Sequence, residues 1–187
     1  MRTLGKRIWQ KCHRGFESPS LRIRFLAFCY TSFMSKDEFD EIIDHIVDKC
    51  IKLKNKYTKE KNLQIDYICI FSHTREEYLD LIRHSLNIGK IVDETKTGPV
   101  FKLHTQLKTV AGKAKVLKIR IPDKIRPERG DVDFNTDYEK FKKNYLMKSN
   151  FSLIKRERFE MIELKDRENN VLVYFSSIPP SKLLGIV

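Results

Sequence analysis

The feature that most constrains this chain is an order of local signals that occurs twice. Leu63-Gln64-Ile65-Asp66-Tyr67-Ile68-Cys69-Ile70-Phe71 is rich in β-branched and aromatic residues and apolar on both faces in its second half, which predicts a central strand. Thr74-Arg75-Glu76-Glu77 then has the spacing of a capping box, where a hydroxyl and a carboxylate three residues on satisfy free N–H groups at a helix start. Tyr78, Leu81, Ile82 and Leu86 share one helical face and Gly89 marks its stop. Strands are expected at 90–94, 99–104 and 115–121, divided by Thr97-Gly98-Pro99 and Ala111-Gly112 turns.

After the turn-rich stretch 122–130 the order begins again. Residues 131–134 form a short strand, Thr136-Asp137-Tyr138-Glu139 a further capping box, and Tyr138, Phe141 and Tyr145 line the helix it opens. Strands follow at 151–155, 159–165 and 171–175, the last two joined by the polar run Asp166-Arg167-Glu168-Asn169-Asn170. The two capping threonines stand roughly 60 residues apart, so the organising unit is a βαβββ module used twice. This predicts an α+β domain over 63–177, divided as 63–122 and 130–177, with 178–187 a tail.

Ahead of the domain, Ser35-Lys36-Asp37-Glu38 is another capping box, and Phe39, Ile42, Ile43, Ile46, Val47, Cys50 and Ile51 recur at three- and four-residue steps. Residues 34–62 therefore read as an N-terminal helix that packs by one face, ending in a basic run at 52–62 expected to be a solvated helix end or linker. Residues 1–33 carry half of the +12 formal charge and one acid, Glu17, and have no clear period. They read either as a targeting segment or as a non-native extension. Gly15-Phe16-Glu17-Ser18-Pro19 can be encoded by a sequence like the T-arm of a transfer RNA gene, which would make Met34 the start.

Composition narrows the function classes. Cys12, Cys29, Cys50 and Cys69 form no Cys-x-x-Cys pair, which speaks against a zinc knuckle and a disulfide framework and fits reduced thiols in a cytoplasm. No apolar run approaches the roughly 20 residues a membrane helix needs, so no membrane partner is expected. Nucleophile elbows and phosphate-binding glycine loops are absent from the sequence, and His13, His45, His73, His84 and His104 lack any metal-ligand spacing. No cofactor and no catalytic residue is assigned.

The module order, with Asp66-Tyr67-Ile68 and Gly98-Pro99-Val100-Phe101-Lys102-Leu103-His104, resembles the vicinal oxygen chelate superfamily of glyoxalases and extradiol dioxygenases, in its YecM-like branch. The resemblance covers about 63–177. It implies a curved, mostly antiparallel eight-stranded sheet, with metal ligands projecting from the first and last strand of each module. Carried onto this chain, those places fall on Tyr67, near Arg120, on Asp131 or Asp133, and at Val173 or Tyr174. A guanidinium stays protonated and offers no lone pair, so a metal is not expected.

Two readings of Arg120 stand side by side. In the first, Tyr67, Arg120, Asp131, Asp133 and Tyr174 bracket the mouth of a cup, and Arg120 grips a small anionic molecule. In the second, Arg120 pairs with Asp131 or Asp133 and only joins the modules. A different class, a nucleic-acid or protein interaction module, would use Lys113, Lys115, Lys118, Arg120, Lys124, Arg126 and Arg129; alternation along a strand and a lack of interleaved aromatics make it the weaker alternative.

Overall fold

A computed structural model describes residues 34–186. The readings of residues 1–33 lie outside the described residues. Helix α1 (Lys36–Tyr57) starts at the predicted box: the Glu38 N–H donates to Ser35 Oγ at 3.1 Å and the Ser35 N–H to the Glu38 carboxylate at 2.6 Å. Two modules follow. The first is β1 (Gln64–Phe71), α2 (Arg75–Ile88), β2 (Gly89–Thr95), β3 (Gly98–Thr109) and β4 (Gly112–Arg120). The second is β5 (Gly130–Asn135), α3 (Tyr138–Tyr145), β6 (Phe151–Lys155), β7 (Glu160–Leu164) and β8 (Val171–Ser176), after which comes the one-turn helix α4 (Pro180–Leu183).

The eight strands form one curved, open, mixed sheet in the order β2-β3-β4-β1-β5-β8-β7-β6. Within each module the opening strand lies parallel to the closing one, β1 beside β4 and β5 beside β8, and all other neighbours are antiparallel. The modules meet along β1 and β5, where Ile68 pairs with Val132, Cys69 with Asp131 and Tyr67 with Asp133. The α+β duplication expected from the sequence is therefore the architecture.

Helices α1, α2 and α3 cover one face of the sheet; the opposite one, free of these three, meets only the one-turn α4 and the residues after it. Ile68, Ile70, Phe101, Leu117, Ile119, Val132, Phe134, Val173 and Phe175 point into this core, against Phe39, Ile43, Ile46, Val47 and Leu53 of α1 and Leu81 of α2. Helix α3 has only two turns and enters through aromatic contacts: Phe141 stacks on Phe175 with centroids 3.9 Å apart and lies 4.6 Å from Tyr145. Gly130 sits where α1 crosses β5. A Cβ there would lie 2.3 Å from the Cys69 carbonyl oxygen and 2.7 Å from Ile46 Cδ1, so only glycine permits the approach.

A bulge decides what the other face carries. The register of β1 on β5 passes from Ile65–Phe134 to Tyr67–Asp133, leaving Asp66 as the extra residue. Ile65 can then face the helices with Ile68 and Ile70, while Tyr67, Cys69 and Phe71 are turned to the opposite side.

Three local expectations are corrected. The α3 N-cap is Asp137, whose carboxylate accepts from the Lys140 N–H at 3.3 Å, so the Thr136 box does not form. At α2, Thr74 caps Glu77 as expected, but the Glu77 carboxylate takes the His73 N–H at 2.6 Å instead of that of Thr74. The basic run 52–62 is not uniformly solvated: Lys54 is 1% exposed. Its ammonium donates to Asn55 Oδ1 and to the Glu60 and Lys61 carbonyls, and it lies 5.4 Å from the Phe134 ring centroid. Hydrogen bonds to carbonyls of the turn that follows the helix offset the cost of burying the ammonium.

Candidate functional site

The helix-free face gathers the residues singled out in the sequence. Register places Lys118, Cys69, Asp131 and Leu172 in one row across β4, β1, β5 and β8. The next row holds Val116, Tyr67, Asp133, Tyr174 and, on β7, Glu163. Arg120 stands beside Phe71, its guanidinium carbon 4.5 Å from the ring centroid. Tyr174, and not Val173, belongs to this face, since Val173 is part of the helix-side core.

No carboxylate lies within 4 Å of Lys118 or Arg120 among the described residues, so the pairing of Arg120 with Asp131 or Asp133 is not a direct ion pair. Asp133 is 2% exposed and accepts both the N–H of Ser176, at 3.1 Å, and its hydroxyl. Asp131 is 5% exposed, and its Oδ1 has no partner among the described residues. A buried polar atom left so costs about 1–3 kcal/mol, and Oδ1 of Asp66, Oε2 of Glu128 and Oδ1 of Asn135 share this condition.

Burial raises Asp131 to about 8, against the opposing pull of Lys118 and with Asp133 adding to the rise. Burial also raises Asp133, to about 7, and the Ser176 bonds hold it back. Both carboxyls therefore retain protons well above the ordinary aspartate range. Tyr67 and Cys69 are pushed far up, chiefly by burial, and stay neutral. Tyr174 donates its hydroxyl to Glu163 Oε1 at 2.8 Å. Near neutrality Lys118 and Arg120 thus share the face with an Asp131 that mostly keeps its proton and an Asp133 that is about half ionised.

One side of this face is covered by the chain itself. Leu184 and Ile186 pack on Val100, Val116 and Tyr67, and the Ser181 hydroxyl donates to the buried carboxylate of Asp66, the bulge residue. Gly185 turns the chain back at φ +64, a conformation that costs a side-chain-bearing residue, and lets the Ile186 N–H reach the Ser181 carbonyl at 2.8 Å.

The basic stretch 113–129 is divided in its surroundings. Leu117 and Ile119 face the helices, while Lys118 and Arg120 between and beyond them face away. Arg129 is committed, with NH2 2.6 Å from Glu77 and NH1 donating to the Phe71 carbonyl at 2.9 Å. Two of the histidines hold structural contacts: His84 stacks on Phe39 and lies 2.7 Å from the Met34 carbonyl, and His73 Nε2 lies 3.2 Å from that of Glu128. Among the described residues no group of three His, Cys, Asp or Glu is arranged to hold a metal ion.

A depression of about 540 Å³ lies elsewhere, between the end of α1 and the β7–β8 turn. It is built around Asp166, which accepts from Lys56 at 2.8 Å, Tyr57 at 2.9 Å and Asn169 at 3.1 Å. Those bonds, the Lys56 one first, hold Asp166 down to about 2. Its central carboxylate is already satisfied.

Sequence reasoning named Tyr67, Arg120, Asp131, Asp133 and Tyr174 for the face but not Lys118, Glu163, Ser176 or Asp66. Lys118 was detectable: it precedes Arg120 by two positions and shares its side of the strand. Ser176 gave no signal, because its role depends on a partner strand, and the bond of Asp66 to Ser181 was hidden because it depends on the returning tail.

No family model and no curated protein matches this chain. Among solved structures, a structural-genomics protein designated EC4020 is similar, with a TM-score of 0.62 at 12% identity, covering 83% of this chain and 98% of that one. At that identity the likeness shows a shared fold alone. No helix among the described residues is long and apolar enough to cross a membrane.

Proposed function

We propose that the chain is a metal-free relative of the vicinal oxygen chelate superfamily that binds a small anionic molecule on the helix-free face of its sheet. The fold-level support is the module topology, with β1 parallel to β4, β5 parallel to β8, and the modules joined back to back through β1 and β5. The observation that carries the binding reading is the placement of Arg120, Asp131 and Tyr67 on one face in successive rows, where, among the described residues, the guanidinium has no carboxylate partner and the buried Asp131 Oδ1 has no hydrogen-bond partner. Stacking on Phe71 orients the guanidinium fork without using its donors, an arrangement suited to a carboxylate or phosphate.

The same residues argue against metal chemistry here. At the family's ligand places this chain offers two phenols, a guanidinium and two buried carboxyls that give up their protons only around neutrality or above, and Lys118 and Arg120 would repel a divalent ion.

Titration of the full chain with small carboxylates and inorganic phosphate, followed by backbone NMR, tests the proposal. Shifts should concentrate at Tyr67, Lys118, Arg120 and Asp131, and Arg120→Met should weaken binding about tenfold or more. Binding that Arg120→Met leaves intact would sink it. RNA binding that falls steeply with salt and also survives Arg120→Met would move the function to the basic stretch.

A further inference from the structure

The segment that follows β8 is built as a unit of its own. Pro179 and Pro180 open α4 without a side-chain cap, and its backbone bonds close within it: the Leu183 N–H donates to the Pro179 carbonyl at 3.1 Å, that of Gly185 to Lys182 at 3.1 Å and that of Ile186 to Ser181 at 2.8 Å. Among the described residues no backbone hydrogen bond joins 178–186 to a strand. The segment is held on the sheet by the Ser181 hydroxyl on Asp66 and by the apolar contact of Leu184 and Ile186 with Tyr67, Val100 and Val116. That polar latch satisfies one oxygen of Asp66, while the other, Oδ1, has no partner among the described residues. A single helical turn has almost no stability of its own in water, so its amides lose protection once it leaves the sheet.

The surface beneath the segment adjoins the two cations of β4. Val100 pairs with Lys118 across β3 and β4, and Tyr67 with Val116 across β1 and β4. Val116, Lys118 and Arg120 follow at two-residue steps on one side of β4, so successive members stand roughly 7 Å apart. Apolar patch and cations thus form one strip. Its apolar end is filled by the aliphatic side chains of Leu184 and Ile186, and its charged end has no carboxylate within 4 Å among the described residues.

We propose that residues 178–186 are a displaceable lid, and that Leu184 and Ile186 hold the place taken by the alkyl chain of an anionic ligand whose acid meets Lys118 and Arg120. This rests on the anion-binding reading above. It adds the ligand class, an acid with an apolar chain, and the part of the protein that moves to admit it.

Titration of the full chain with acetate and octanoate at low salt, followed by backbone NMR and native-state amide exchange, tests it. Octanoate should bind at least about tenfold more tightly than acetate. It should also accelerate exchange at Leu184 and Ile186 while β8 is unchanged. Ile186→Ala, which weakens the apolar hold of the lid, and Ser181→Ala, which removes its latch, should each raise octanoate affinity several-fold and leave acetate unchanged. Arg120→Met should weaken both acids. Equal affinities for the two acids, a ratio that neither lid variant alters, or exchange at Leu184 and Ile186 that octanoate leaves unchanged or slows would overturn the lid inference, and acetate binding that Arg120→Met weakens would keep the anion reading standing. Failure of both acids to bind at millimolar concentration would remove the anion reading and this one with it.

Discussion

The two modules share one strand order, yet their helix-free faces are finished differently. In the first, Tyr67, Val100 and Val116 lie beneath Leu184 and Ile186, so its surface is largely apolar and covered by chain from beyond the second module. In the second, Tyr174 is bonded to Glu163, and Asp133 to Ser176, so its polar groups are paired within neighbouring strands. The seam between them holds Asp131, whose buried Oδ1 has no partner among the described residues, with the cations of β4 one strand beyond β1. Duplication supplies the scaffold, and the departures from symmetry locate the chemistry.

The comparison extends to how each module is held together. Helix α2 spans 14 residues and packs by an aliphatic face, whereas the eight-residue α3 depends on Phe141 against Phe175, Tyr145 and Phe151. Phe141→Ala should cost about 3–5 kcal/mol and Leu81→Ala about 2–4, both measured by chemical denaturation. A larger loss at Leu81 would contradict the view that the second module leans on its aromatic stack.

The seam makes a pH prediction. Asp131 in the unfolded chain ionises near the ordinary aspartate value but in the folded protein holds its proton to about 8, so the folded state binds more protons in between. Stability should therefore fall as pH rises from about 4 through 8, by a few kcal/mol at most from this group. Asp131→Asn should flatten the profile, and Asp133→Asn should do so less, because its rise stops near 7. Denaturation midpoints that climb over that interval in the wild type would show the seam carboxyls to be ionised in the folded state.

The smallest effect concerns the cover. Ser181→Ala removes a donor from the buried Asp66 carboxylate and should cost about 1–2 kcal/mol. Amide exchange at Ile186 should accelerate while that of β8 is unchanged. Equal acceleration at both sites would mean that tail and second module open together and that the division drawn between them is false.

Most of the architecture could be read from local signals. The βαβββ order, the Ser35 box and the Gly98 and Gly112 turns depend on residues close in sequence, and they appear as expected. Competition between adjacent capping groups was not readable: Thr136 and Asp137 both can cap, and the carboxylate takes the position. Nor was Lys54, whose basic surroundings suggested solvent until the carbonyls of Glu60 and Lys61 turned back on it. For the site, alternation placed Arg120, Tyr67 and Asp131 only because of the bulge at Asp66. The sequence hints at it where the apolar phase slips between Ile65 and Ile68. The pairing of Asp133 with Ser176, across 43 residues, needed the parallel contact of β5 with β8.

The placement of Leu184 and Ile186 has a consequence for how the protein is made and handled. A nascent chain that has just released β8 has every strand of its sheet but still shows Val100, Val116 and Tyr67 to water, so the first module waits on the segment after the second. Any fusion partner or label attached beyond Ile186 would hang at the rim of that surface, where it could compete with whatever the face is built to receive.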